Sequence, residues 1–167
     1  MSRGTWIAVI GVALLSGPAG HAEDSGNTVI GVNPRLSEGA YALEFGNYDE
    51  GVRLTLEGLR ESVRPRDRVG ALSNLCAGYV GLQDYQAALR YCNRALRIDE
   101  KNWHAYNNRS LAYLGLGNTA AAQRDLEIGL EINPQARTLK EVELRVEAAK
   151  QAEAKERSPV STPPEED

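Results

Sequence analysis

The feature that most constrains the fold of this chain is a segment that returns after 34 residues. Residues 82–99 align without a gap on residues 116–133. A fixed period of this length is typical of stacked-repeat proteins, in which each unit buries its apolar face against its neighbours. Such stacks usually present binding surfaces rather than catalytic clefts. The coincident residues include Tyr79 with Tyr113, Ala88 with Ala122, Leu96 with Leu130 and Ile98 with Ile132.

Each repeated segment has the pattern of two amphipathic helices joined by a short turn. In the first helix of one unit, Leu72, Leu75 and Tyr79 recur at helical spacing and therefore share one face. Glycines mark the turns. The pattern predicts three helical pairs, over residues 32–65, 69–102 and 103–136.

The first pair matches the other two less closely. Its distance to the second unit is 37 residues, and the three extra residues, 66–68, are charged and predict a solvated connector. Gly51 takes the place of Ala88 and Ala122, and Gly58 takes the place of Ala95 and Gly129. We expect small residues at both positions because the paired helices approach closely there.

Two Asn-Pro pairs indicate helix starts, since asparagine is a good N-cap and proline suits the first helical turn. Asn33-Pro34 predicts the start of the first helix, and Asn133-Pro134 leads into a last, capping helix predicted over residues 137–157. This last helix has a narrow apolar stripe and a polar back, as a cap on an exposed stack end requires. Residues 158–167 contain three prolines and three acids and predict a disordered tail.

The first 22 residues have the order of an export signal. Arg3 precedes an apolar run of ten residues, and small residues at Gly20 and Ala22 predict cleavage after Ala22. An uncleaved anchor is the alternative, although the run is short for a membrane span. We expect residues 23–31 to be a flexible lead-in and the mature chain to have no stable membrane span. The protein would then be periplasmic in a diderm bacterium and secreted otherwise.

The charge of the mature chain disfavours nucleic acid as a partner. After residue 22 the chain has 18 basic and 23 acidic residues, a net charge of −5. Phosphate binding requires a basic face. We therefore expect protein or peptide partners and no nucleic acid.

Two cysteines, Cys76 and Cys92, lie on the two helices predicted for the second unit. In an exported protein such a pair can be oxidised. Antiparallel helices joined near Gly81 place Ala88 opposite Cys76, so Cys92 is offset by about one turn. This offset favours two buried thiols and leaves a disulfide as the alternative. His104 is the only histidine after residue 22, so we predict no metal site and no cofactor.

These patterns resemble the tetratricopeptide repeat, a 34-residue helix-turn-helix unit. The resemblance covers about residues 32–136. Arg109 departs from it, standing where leucine is usual. The resemblance implies an all-α, right-handed superhelical stack of three units plus a C-terminal capping helix. The residues that match the family pattern in type are Leu72, Leu75, Tyr79, Ala88 and Ala95 in the second unit, and Tyr106, Tyr113, Ala122 and Pro134 in the third.

By the geometry of this family, the first helices of the units line a concave groove. Such a surface suits an extended peptide or a helix with apolar anchors, positioned by asparagine amides. Some family members clamp a peptide carboxylate with Lys, Asn and Arg on these helices. Of the clamp positions only Asn74 matches, so we expect another binding mode. The groove residues implied are Leu36, Ala40, Leu43, Asn74, Ala77, His104, Asn107, Asn108 and Leu111.

No catalytic constellation is visible in the sequence. Nucleophilic catalysis needs a positioned base, and only His104 is available. We therefore predict a non-catalytic adaptor of the cell envelope that binds a peptide or helix in the groove. The alternative is a structural subunit of an envelope assembly, such as a secretion, pilus or cell-wall machine, that uses the convex face or the capping helix. A small accessory domain of an enzyme is the third interpretation.

Overall fold

The computed structural model describes residues 33–61 and 64–157, and within these residues it contains seven α-helices and no strand. The expected signal peptide (1–22), lead-in (23–31) and tail (158–167) lie outside the described residues. The helices are α1 (Pro34–Glu44), α2 (Tyr48–Glu61), α3 (Pro65–Gly81), α4 (Tyr85–Ile98), α5 (Trp103–Gly115), α6 (Thr119–Ile132) and α7 (Arg137–Arg157).

The helices form two layers. Each unit is a tightly packed pair, α1 with α2, α3 with α4 and α5 with α6, and each pair contacts the helix that follows it. The first helices also contact one another in the order α1, α3, α5, α7. We call these four helices the inner row. The predicted all-α repeat stack is confirmed.

Side-chain caps explain where several helices begin. Asn33 Oδ1 accepts hydrogen bonds from the backbone N–H groups of Arg35 and Leu36, at 2.9 and 3.3 Å. Asp84 and Asn118 cap α4 and α6 in the same way, each at 3.0 Å. These bonds satisfy backbone donors that have no partner within the helix. The cap predicted at Asn33 is confirmed.

The turn inside each unit uses one residue in the left-handed region. Gly46 has φ +77° and Gly117 has φ +72°. The equivalent residue of the second unit is Gln83, with φ +61°. Glycine adopts this conformation without steric cost, whereas a side chain crowds the backbone.

Small residues hold the paired helices close together, as expected. A Cβ atom on Gly51 would lie 2.6 Å from Leu43 Cγ, and one on Gly58 would lie 2.6 Å from Leu36 Cδ2. Ala88 and Ala95, at the equivalent places in the second unit, are fully buried. The prediction of close approach at these positions is confirmed.

The connector expected at residues 66–68 is wrong, because these residues form the first turn of α3. Pro65 is the first helical residue, where its missing N–H costs nothing. Asp67 lies near the positive end of the helix dipole and pairs with Arg64, at 2.7 Å between Asp67 Oδ2 and Arg64 Nη2. The extra charged residues therefore lengthen α3 at its N-terminus.

The bounds predicted for the capping helix, 137–157, agree with α7, but the Asn133-Pro134 pair precedes this helix and does not cap it. Asn133 is the C-cap of α6, and its backbone N–H donates to Gly129 O. Its side chain accepts a hydrogen bond from the N–H of Gln135 at 3.3 Å, within the turn between the helices. Leu139, Val142 and Val146 then bury the apolar stripe of α7 against the third unit.

Candidate functional site

The inner row forms one side of a groove with a volume of about 480 Å³. It lies at the end of the inner helices that is nearest the turns within the units. Its lining comes from all four inner helices, from the first residues of α2 and α4, and from the second turn. The lining residues are Leu43, Glu44, Tyr48, Ala77, Val80, Gly81, Gln83, Tyr85, Asn108, Leu111, Leu114, Gly115 and Arg145.

Contacts between tyrosine rings and glycines form part of this lining. A Cβ atom on Gly81 would overlap the ring of Tyr48, and one on Gly115 would overlap the ring of Tyr85. Helices α3 and α5 therefore each end directly against the tyrosine that begins the second helix of the preceding unit. Neither tyrosine was among the predicted groove residues. Their place at the start of a helix, next to a turn, is the sequence signal that they also border the groove.

The surface of the groove is mixed, with polar and apolar atoms contributing similar shares. Leu43, Val80, Leu111 and Leu114 supply aliphatic surface. Tyr48, Tyr85 and Gln83 add side chains that can both donate and accept hydrogen bonds, whereas the amide of Asn108 lies buried beneath the surface. Such a surface can hold an apolar side chain and orient the peptide groups next to it.

Four of the predicted groove residues line this cavity, namely Leu43, Ala77, Asn108 and Leu111. Leu43 is only 5% exposed, because it also packs on Gly51 of α2 and lies close to Gly78 of α3. Ala77 and Leu111 are more accessible and lie 34 residues apart on α3 and α5. Equivalent positions of the second and third units therefore line the groove.

Three predicted groove residues are buried elsewhere. Leu36 and Ala40 are 2% and 0% exposed, and Leu36 packs on Gly58 of α2. Their helix face meets the partner helix of the first unit rather than solvent. Asn74 is fully buried and does not line the groove. The structure therefore corrects the prediction for these three residues.

His104 lies outside the groove, in a second cavity of about 450 Å³. This cavity is bordered by the start of α3, the end of α4 and the start of α5. The ring of His104 stacks on the ring of Trp103, with 3.6 Å between the centroids. His104 is the second residue of α5, at the helix end away from the groove, so its predicted place in the groove is corrected.

Asn107 lines a small cavity of about 50 Å³ between α5 and α7, rather than the main groove. Its Nδ2 donates to Asn108 Oδ1 at 3.3 Å, and both side chains are fully buried. Leu111 and Arg145 line both the small cavity and the groove. We call this space the α5–α7 cleft; its remaining lining residues are Thr138, Glu141 and Val142.

Arg109, which replaces the usual leucine, forms a partly buried ion pair with Asp125 of α6. Its Nη1 also donates to Asn93 Oδ1 of α4, at 2.6 Å. Burial alone lowers the pKa of the Arg109 guanidinium, but the hydrogen bond and charge of Asp125 outweigh burial and raise it. The arginine stays charged and joins three helices.

A disulfide joins Cys76 and Cys92, with 5.3 Å between their Cα atoms. The expected one-turn offset, and with it the preference for free thiols, is wrong. The turn comprises residues 82–84, so α3 ends five residues after Cys76 and α4 begins seven residues before Cys92. The two cysteines are thus nearly level across the pair. Both are fully buried in the core of the second unit.

The described residues contain no group of three or more His, Cys, Asp or Glu side chains that could hold a metal ion. In the same ranges, no helix combines the length and apolar composition that a membrane span requires.

The chain is similar to known repeat proteins. The family model for the tetratricopeptide repeat matches residues 75–147. Tetratricopeptide repeat protein 12 of Homo sapiens is 34% identical over 101 residues, which is 60% of this chain and 14% of that protein. The photosystem I assembly protein Ycf3 of Cyanophora paradoxa is 33% identical over 100 residues, which is 60% of this chain and 54% of that protein. The match thus spans only part of each relative.

Among solved structures, the fold is similar to the first TPR domain of Spaghetti (RPAP3) bound to the HSP90 peptide SRMEEVD. The TM-score is 0.59 at 23% sequence identity, and the match covers 72% of this chain and 90% of that one. At this level of identity the likeness shows a shared fold.

Proposed function

Because the chain belongs to the tetratricopeptide repeat family, we propose that it is a non-catalytic adaptor that binds a peptide or a helix of a partner protein. The observation that carries this proposal is the 480 Å³ groove on the inner row, with aliphatic walls and amide and hydroxyl groups between them. The similar domain of Spaghetti, which holds a peptide, supports the same use of the fold.

The mechanism is reversible docking. An apolar side chain of the partner would displace water from between Leu43, Leu111 and Leu114, and the burial of apolar surface favours binding. The exposed amide of Gln83 would bond to the polar backbone next to that anchor. The stack changes little on binding, since its helices already hold the groove open.

We place this activity in the cell envelope. The export signal predicted in residues 1–22 supports that location. The disulfide between Cys76 and Cys92 supports it independently, because disulfides persist mainly in oxidising compartments. In a diderm bacterium that compartment would be the periplasm.

In-cell crosslinking of the tagged protein, followed by mass spectrometry of the captured partners, tests the adaptor function. The groove variants are Ala77→Glu and Leu111→Glu, which place a charge on the apolar surface. The control is Leu144→Glu on α7, where the side chain is 72% exposed and does not line the groove. A partner lost with both groove variants and kept with the control supports the proposal.

A structural subunit of an envelope assembly is the second candidate function. Exposed apolar side chains outside the groove favour it, namely Leu144 on α7 and Ile128 on α6. The same experiment separates the two functions. If the protein is a structural subunit, its partners should no longer be captured with Leu144→Glu but should still be captured with Leu111→Glu.

A further inference from the structure

The position of Arg145 continues the repeat into the capping helix. Ala77, Leu111 and Arg145 follow one another at intervals of 34 residues and lie on α3, α5 and α7. All three line the groove. Helix α7 therefore supplies a fourth inner helix, and Arg145 occupies the groove position that an alanine and a leucine occupy in the preceding units.

Arg145 also sets the charge of the groove at one end. Among the described residues that line it, the charged ones are Glu44, on the first inner helix, and Arg145, on the last. Arg145 has no ion pair among the described residues. Glu141, one helical turn before it, pairs with Arg137 at 3.6 Å. The guanidinium is exposed and available to an anion.

A second group in the α5–α7 cleft has unmet hydrogen-bonding capacity. Thr138 lines this cleft together with Arg145, and its hydroxyl oxygen is buried without a hydrogen-bond partner among the described residues. Buried polar groups normally have a partner, which is often a water or a ligand. A carboxylate offers acceptors to the guanidinium directly and to the hydroxyl through a bridging water.

We infer that the groove selects a partner segment in which an acidic side chain stands near an apolar one, and that Arg145 binds the acidic group. The apolar anchor fills the space beside Leu111 and Leu114, and the carboxylate lies at the end formed by α7. This inference rests on the proposed function, because it assigns the ligand chemistry of the same groove. Arg145 is a specificity-determining residue that the inner helices of the first three units lack.

A library of synthetic decapeptides tests the inference. Their ends are acetylated and amidated, so that the only carboxylates are those of side chains. The full protein and its variants Arg145→Glu and Arg145→Gln select peptides in parallel, and fluorescence polarisation then measures the binding of the best sequences. Lys140→Glu is the control, since Lys140 is an exposed cation on α7 that does not line the groove.

We expect the native protein and the control to select Asp or Glu at a fixed distance from a large apolar residue. Arg145→Glu should replace this preference with Lys or Arg. Changing Glu to Gln in the best peptide should weaken binding to the native protein about tenfold. The same change should leave binding to Arg145→Gln unaltered.

Two other outcomes are distinguishable. If Arg145→Glu selects the same acidic peptides as the native protein, the inference is overturned while groove binding stands. If the native protein selects no peptides, or only peptides whose binding Leu111→Glu does not reduce, the proposed function fails and the inference fails with it. Circular dichroism of each variant confirms that the exposed substitutions leave the fold intact.

Discussion

Arg109 donates hydrogen bonds from Nε and Nη2 to the two carboxylate oxygens of Asp125, each at 2.7 Å. Asp125 is only 4% exposed, and this arginine is its ion-pair partner. Both bonds share one plane of donors, a geometry that lysine cannot provide. An ion pair thus replaces the leucine packing usual at this place in the repeat, and Asn93 extends it to the second unit.

Asp125→Ala should lower the free energy of unfolding by about 3 kcal/mol, because it leaves a partly buried guanidinium without its counter-charge. Urea denaturation followed by circular dichroism measures the change. The double variant Arg109→Leu with Asp125→Leu should lose less stability than Asp125→Ala, since apolar residues can replace a buried pair. If Asp125→Ala is as stable as the native protein, the ion pair contributes little to the free energy of unfolding.

Reduction of the Cys76–Cys92 disulfide should lower the free energy of unfolding by about 3 kcal/mol. The bond closes a loop between residues separated by 16 positions, and it limits the freedom of the unfolded chain. Urea denaturation with and without a reductant gives the difference. The variant Cys76→Ala with Cys92→Ala is the control, as the reductant should not change its stability. Equal midpoints for the oxidised and reduced native protein would contradict the prediction.

Gln83→Gly should raise the free energy of unfolding by about 0.5–1 kcal/mol. Gln83 has φ +61°, and glycine removes the crowding that a side chain causes in this region. Gly117→Gln makes the reverse change in the third unit and should destabilise by a similar amount, since Gly117 has φ +72° and open space around it. Thermal melting of both variants tests this prediction, which requires that Gln83→Gly raises the melting temperature and Gly117→Gln lowers it.

Gly58→Ala should destabilise the first unit by about 2 kcal/mol. The added methyl group would lie 2.6 Å from Leu36 Cδ2 and 3.0 Å from Leu36 N, and the backbone atom cannot move aside alone. Glu61→Ala on the same helix is exposed and should be nearly neutral. Urea denaturation measures the stability of both variants. If Gly58→Ala and Glu61→Ala change the free energy of unfolding equally, the close approach of α1 and α2 is not the reason for a glycine at position 58.

Much of the fold could be predicted from the sequence because its signals are local. A glycine turn, an asparagine cap and a small residue such as Gly51 act within one helix or one pair. The start of α3 was missed because three charged residues resemble a loop, although Pro65 and Asp67 are good first-turn residues. The disulfide was missed as the favoured state because a shift of two or three residues in the turn moves Cys92 by most of a helical turn.

The groove was only partly predictable. Helical periodicity shows which residues share one face of a helix, but it does not show whether that face contacts another helix or solvent. Leu36 lies on the expected face of α1 yet packs on Gly58 of α2. Leu111, on the equivalent face of α5, borders the groove. Arg145 was missed because α7 was interpreted as a cover for the apolar end of the stack. Continuing the 34-residue interval from Leu111 would have identified it.

The disulfide also determines how the stack can come apart. In a linear array, each unit is held mainly by its neighbours, so unravelling starts at a free end and advances one unit at a time. Unfolding that advances from α1 or from α7 would reach α3 and α4, which the disulfide joins covalently. The middle unit would act as a barrier to unfolding from both sides. A terminal unit could therefore open and close repeatedly while the second unit keeps its shape.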